Sequence, residues 1–270
     1  MMKKVILITG ISSGFGKQTA GLLAQNGHIV YGTVRSESGS DDLIQYLKMD
    51  LTDFESIKKT VSVVLEKEGR IDVLINNAVM LTGGPIETSQ VENIKLQMDT
   101  NFLGMVLLTR EVLPLMRQQA GGTIINFSSI GGLMGLPFQG FYCAGKFAIE
   151  GFSEALRLEV KQFNIRVVLI NPGDFHTNCL VNRRNFLAPT GINDPYHEQF
   201  AKTLAIIEKN EANGWEPVVL ARKIVKIVDC KNPRQRYVIA TFVEKLSVVL
   251  KYILPGKWFS KILEYYYKIH

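Results

Sequence analysis

Two short segments, residues 5–9 (VILIT) and 71–76 (IDVLIN), are apolar at nearly every position instead of at every second one. Strands of that kind are buried on both faces, which happens when helices cover both sides of a parallel sheet. Residues 1–175 agree, because β-rich runs alternate with helical patterns, as crossover helices joining parallel strands require. The periodicity predicts a helix from Phe15 to Gln25, a strand over 28–34, a third strand from Tyr46 to Met49, and a helix from Phe54 to Glu66. A long helix is predicted from Val91 to Arg117, interrupted or bent near Pro114. The strand 123–128, the helix after Tyr142 and the strand 165–170 complete six strands. Farther on, Pro217 suits the first turn of a helix, and 236–241 (RYVIAT) reads as a seventh strand. The expected fold class is α/β: a doubly wound, mostly parallel sheet of about seven strands flanked by helices, in which a ligand crevice opens where the strand order reverses.

At 270 residues the chain suits one large core. We assign residues 1–242 to that domain, with a substrate loop at 174–214 broken by Pro189, Gly191, Asp194 and Pro195, and 243–270 to an amphipathic helical extension. Cys143, Cys179 and Cys230 are widely spaced with no second cysteine at metal-ligand distance, so we read reduced thiols and no metal site. Cys143 beside Tyr142 reads as a small packing residue and not a nucleophile. The apolar run after the N-terminal lysines is too short for a signal segment. Even 239–254 contains Glu244, Lys245 and Lys251, which argues against a spanning helix and for a cytoplasmic protein, with peripheral contact to a membrane left open. The net charge of +6 is concentrated from residue 219 onward, where eleven Lys/Arg face three Asp/Glu. Such an end suits an acidic membrane surface, an anionic ligand or a solvated helix face. No reading motif accompanies it, so nucleic acid is not expected as a partner.

Between the first strand and the first helix lies Thr9-Gly10-Ile11-Ser12-Ser13-Gly14-Phe15-Gly16. Glycines there permit a tight turn and close backbone approach to a pyrophosphate, while the helix N-terminus offers unpaired N–H donors. The second strand ends in Val34-Arg35-Ser36 with no acid before Glu37. An arginine there favours the extra phosphate of NADP(H), with NAD(H) the alternative coenzyme and an ordinary surface arginine the bland reading. Tyr142 and Lys146, four apart on a helix, share one face. A free phenol titrates near pH 10, and a neighbouring ammonium lowers that value. Ser129 lies thirteen residues before Tyr142 and can hold a substrate oxygen; Ser128 competes with it, and turn capping would explain either serine.

Together these residues resemble the short-chain dehydrogenase/reductase family, in its single-domain branch with the Thr-Gly-x-x-x-Gly-x-Gly motif. The resemblance runs from Lys4 to Thr177 and includes Thr9 to Gly16, Asp50, Asn76-Asn77-Ala78, Asn101, Ser129, Tyr142, Lys146 and Pro172-Gly173. It implies a Rossmann-type fold with Tyr142 as general acid/base, Lys146 lowering its pKa and binding the nicotinamide ribose, and Ser129 orienting the carbonyl. It further implies Asn101 in a water relay to Lys146, Asp50 and Leu51 beside the adenine, Asn77 and Ala78 beside a ribose, and Phe175 with Thr177 near the carboxamide. Val79 stands where the family usually has glycine, so either the crevice or the backbone must adapt there.

Members nearest in motif act on steroids, retinoids and long-chain ketones, which implies an apolar carbonyl or alcohol substrate. Leu133, Met134, Leu136, Phe138 and Phe141 suit an apolar wall, or equally a core or subunit contact. The family further implies a homodimer or homotetramer packed through the helices at 91–117 and after Tyr142. Trp258, Phe259, Ile262, Leu263, Tyr266 and Ile269 recur at helical spacing, with Lys257, Lys261 and Lys268 elsewhere on the wheel. That helix packs on the body or a second subunit, closes over substrate, or lies on a membrane. The competing function is a catalytically silent nucleotide-binding regulatory or scaffold protein of the same fold. Sugar epimerisation is disfavoured by the glycine spacing.

Overall fold

The computed structural model describes residues 3–36, 42–177, 191 and 193–269; Glu37, Cys179, Pro189 and His270 lie outside them. Among the described residues are seven strands: β1 (Val5–Thr9), β2 (Ile29–Val34), β3 (Ile44–Lys48), β4 (Val73–Asn76), β5 (Gly122–Phe127), β6 (Ile165–Pro172) and β7 (Arg236–Ile239). They form one sheet in the order β3-β2-β1-β4-β5-β6-β7, with every pair parallel. The order reverses between β1 and β4, whose following helices lie on opposite faces of the sheet, and a ligand crevice opens at such a point.

Among the described residues the α-helices are α1 (Gly14–Gln25), α2 (Phe54–Glu68), α3 (Val91–Met98), α4 (Gly104–Gln118), α5 (Gly140–Glu159), α6 (His197–Ala212), α7 (Pro217–Asp229), α8 (Phe242–Ile253) and α9 (Gly256–Tyr267). Their placement explains the unbroken apolar strands. Ile6 and Ile8 of β1 join a core with Ala20 and Leu23 of α1 and Leu220 and Ile224 of α7. Their neighbours Val5 and Leu7 join the opposite core, with Ile57 and Val61 of α2, Leu108 and Val112 of α4 and Leu156 of α5. Each fully buried aliphatic side chain contributes about 1.5–3 kcal/mol, so neither face of β1 could become polar without loss.

Three expectations are corrected. The third strand begins at Ile44, where it pairs with Val30, and not at Tyr46. The long helix is interrupted at Asp99–Leu103, one turn of π-helix, while Pro114 sits inside α4. The irregular turn falls where Asn101 is drawn to the backbone of Met80 and where Gly104 lies directly on Leu51. The segment 174–214 is not all loop, since it contains α6. Only Phe200, Thr203 and Ile207 are buried on that helix, an apolar stripe too narrow to stand out in a polar sequence. Among the described residues no helix is long and apolar enough to cross a membrane.

Candidate active site

Thr9 ends β1, and Gly10 turns the chain with φ +72°, a left-handed conformation that L side chains rarely adopt. The N–H groups of Gly10 and Ile11 both donate to the Thr33 carbonyl, at 3.0 and 3.1 Å. A Cβ on Gly10 would lie 2.8 Å from the Ala78 Cα, and one on Gly16 would strike the Gly10 carbonyl. The loops after β1 and β4 are therefore in backbone contact, and side chains lock them there. Thr9 Oγ1 accepts from the N–H groups of Asn77 and Ala78 at 3.0 and 2.9 Å. Asn77 Nδ2 donates to the carbonyls of Thr9 and Gly10 at 2.8 and 3.0 Å. Helix α1 starts without a side-chain cap and without an acid in its first turn. Its N-terminal amides and the glycine cradle together suit a pyrophosphate.

The opposite wall carries the reactive groups. After β5, Ser129 caps a single 3₁₀ turn, Ile130–Gly132, its Oγ accepting from the Gly131 N–H at 3.1 Å. That leaves the hydroxyl proton available to another acceptor. Tyr142 lies in the first turn of α5 and Lys146 one turn later. A Cβ placed on Gly131 would sit 3.3 Å from Tyr142 Cε1 and 3.5 Å from Ser129 Oγ, so the serine and the tyrosine flank the same glycine. Lys146 is buried, donates from Nζ to the Phe127 carbonyl at 2.7 Å, and holds its ammonium 5.7 Å from the Tyr142 ring centre. Ser128, the competing serine, is buried with its Oγ turned towards the Lys146 carbonyl. Burial pushes the neighbouring Cys143 thiol up from its ordinary pKa, which suits a packing residue and not a nucleophile.

Ser129 is held from behind. Asn171 Nδ2 donates to the Ser129 carbonyl at 3.0 Å and to Glu150 Oε1 at 2.6 Å. Glu150 is buried and pairs with Arg236 of β7 at 2.5 Å, and Arg236 reaches Glu154 at 2.9 Å. A carboxylate this buried requires such partners.

Between the two walls runs a cleft of about 420 Å³, within the usual range for small-molecule sites. Of the residues singled out in the sequence, Gly10, Ser12, Ser13, Gly14, Phe15, Arg35, Asp50, Leu51, Asn77, Ala78, Ser129, Tyr142, Lys146, Pro172, Gly173, Phe175 and Thr177 line it. Thr9, Gly16 and Asn101 do not, and each supports the lining from behind. Asn101 uses both ends of its carboxamide on the Met80 backbone, at 2.7 Å each, so its side chain fixes the loop after β4. Asn77 borders the cleft, although its amide nitrogen is engaged by the glycine turn. Phe175 is 3 % exposed and stacks edge-on against Phe15 and Trp215, so most of its ring belongs to the core. Val79 lines the cleft and has no positive φ, so its side chain sits in the crevice without a left-handed backbone.

The expected apolar wall divides. Leu136 lines the cleft, Leu133 and Met134 are buried against Val248 and Phe259 of the C-terminal helices, and Phe138 packs on Phe200 of α6. Sequence reasoning missed Ile207, Asn210 and Glu211 of α6, Asp174, and Tyr267 of α9, all of which line the same cleft. Burial, then the charge of Asp174, pushes the Tyr267 hydroxyl well above its ordinary pKa, so it stays a neutral hydrogen-bonding group. The spacing read in the sequence ran through Tyr266 and passed over Tyr267, since periodicity says nothing of which neighbour a helix faces.

A profile of the short chain dehydrogenase family matches residues 4–187. The chain is 47% identical to a 3-ketodihydrosphingosine reductase of Bacteroides thetaiotaomicron over 269 residues, covering 100% of both chains. Among solved structures, a short-chain dehydrogenase from Streptomyces avermitilis superposes with a TM-score of 0.82 at 28% identity, covering 98% of this chain and 97% of that one. Another from Burkholderia cenocepacia, in complex with NADP, shares the fold with a TM-score of 0.76 at 20% identity, covering 97% and 98%.

Proposed function

The chain belongs to the short-chain dehydrogenase family, and from that premise we propose that it is an NADP(H)-dependent reductase of a long-chain ketone, with 3-ketodihydrosphingosine the first substrate to test. The observation that carries this reading is the cleft itself, which joins the glycine turn after β1 to Ser129, Tyr142 and Lys146 without interruption. A nicotinamide coenzyme bound there would supply hydride to the carbonyl carbon. The chain's own residues handle the oxygen. Ser129 donates its hydroxyl hydrogen to the carbonyl oxygen and stabilises the charge that grows on it. Tyr142 delivers its phenolic proton to that oxygen, which completes the alcohol. Lys146, fixed by the Phe127 carbonyl, keeps positive charge beside the Tyr142 ring and so stabilises the phenolate left behind. The proton lost by Tyr142 is replaced from solvent.

Arg35, exposed at the cleft edge, supports NADP(H) over NAD(H), because its guanidinium suits an extra phosphate on the adenosine ribose. Asp50, Leu51, Ala78, Pro172, Gly173 and Thr177 all line the cleft; the first three would hold the adenosine half and the last three would border the nicotinamide half. Leu136, Ile207 and Tyr267 give the substrate end an apolar lining with a phenol in it. Phe147 and Leu158 are exposed on α5, which supports a homo-oligomer packed through that helix.

The test is loss of the near-ultraviolet absorbance of NADPH with a panel of ketones: 3-ketodihydrosphingosine, a steroid ketone, retinal and a short aldehyde. Each is run also with NADH. The long-chain ketone with NADPH should turn over fastest. No turnover of any carbonyl with either coenzyme would overturn the reading.

A further inference from the structure

The outward faces of the last two helices are apolar. On α8, Phe242, Leu246, Val249 and Ile253 follow one another at i, i+4, i+7 and i+11, and all are exposed. On α9, exposed Trp258, Ile262 and Tyr265 repeat the spacing. Of the twenty exposed large hydrophobic residues among those described, ten lie between Phe242 and Tyr266. The helices do not need these faces in order to pack. Val248, Phe259 and Leu263 already join Leu133 and Met134 on the inner side, and Tyr267 closes the cleft. Clustered apolar surface of this kind marks an interaction site.

Charge decides the partner. Lys245, Lys257, Lys261 and Lys268 are exposed around the two stripes, against one exposed acid, Glu264. The other acid of these helices, Glu244, is turned inward, accepting from the N–H groups of Thr241 and Asp174. A second copy of the same face would bring lysines against lysines. An anionic bilayer would neutralise them, and tryptophan, tyrosine and lysine beside aliphatic residues is the composition of a helix lying in a lipid interface.

We propose that the outer face of α8 and α9 docks on an anionic lipid bilayer. The inner face of α9 reaches the cleft through Tyr267, so docking places the substrate end of the cleft one helix away from the lipid surface. This goes beyond the reaction proposed above and does not depend on it, since adsorption is read without turnover.

The test is co-sedimentation of the full chain with vesicles of phosphatidylglycerol and phosphatidylcholine, compared with phosphatidylcholine alone. Wild type should pellet with the anionic vesicles, stay in solution with the neutral ones and be released by high salt. The double variant Trp258→Glu/Tyr265→Glu should lose at least about tenfold in partitioning, with its solution mass and melting temperature unchanged. Both side chains are largely exposed, at 67% and 89%, so the variant should fold. In wild type, Trp258 emission should shift to the blue when anionic vesicles are added. Absence of wild-type partitioning, partitioning indifferent to lipid charge, or a variant whose solution mass falls instead would overturn the proposal, the last result marking the face as a contact between copies.

Discussion

The two ends of the cleft are built by different means. At the glycine turn the walls are main chain and short polar groups, drawn from the ends of β1, β2 and β4 and locked by Thr9 and Asn77. At the other end the walls are side chains on α6 and α9, some 60 to 125 residues beyond Tyr142 in sequence. A cradle made of backbone fits the one shape its chain can take, so it suits an invariant ligand part. A wall made of side chains on peripheral helices can be rebuilt without disturbing the sheet, and it suits the part that distinguishes substrates. The difference predicts that mutations at the first end alter coenzyme binding for every substrate, and that mutations at the second end alter KM selectively.

Between the two ends, the largest effect should come from Gly16→Ala. Its new methyl must displace the Gly10 carbonyl or Asn77, an overpacking of about 1–3 kcal/mol in the loop proposed to hold the coenzyme. NADPH affinity, measured by fluorescence titration, should fall about ten- to a hundredfold. Next, Arg35→Ala should weaken NADPH by about tenfold and leave NADH unchanged, because a charged hydrogen bond at an exposed site is lost. Tyr267→Phe removes one buried hydroxyl from the far wall. It should raise KM for a long-chain ketone by about two- to tenfold with coenzyme affinity intact; a matching change in NADPH binding would erase the distinction between the ends. The smallest effect should be that of Glu150→Gln, which weakens the tie from Arg236 through Asn171 to Ser129. A melting temperature lower by about 2–4 °C is expected, the equivalent of about 1 kcal/mol.

The same division explains what could be read in the sequence. Apolar runs at every strand position required helices on both faces, and they led to the parallel sheet and the strand that carries Thr9. The glycine turn, Ser129, Tyr142 and Lys146 were legible because each follows the end of an apolar strand or shares a helix face, and because together they resemble the short-chain dehydrogenase/reductase pattern. Tyr267 and α6 were not, because their positions follow from tertiary packing, and periodicity has no term for which partner a helix meets. The C-terminal helix shows this most clearly. Trp258, Phe259, Ile262, Leu263 and Tyr266 read as one face, whereas the structure turns Phe259 and Leu263 inward and leaves Trp258, Ile262 and Tyr266 exposed. The π turn at Asp99–Leu103 was missed for a related reason: the proline that drew attention lies farther along, while the irregularity coincides with the tertiary contact between Asn101 and Met80.

The most direct test of the account is the Tyr142→Phe variant, followed by two readings on the same preparation. NADPH should bind with wild-type affinity, and turnover of the ketone that wild type reduces should fall by about 10²–10⁴-fold, the contribution of a positioned acid. A variant that binds NADPH and still reduces the ketone at near wild-type rate would contradict the assignment of the reacting proton to this phenol.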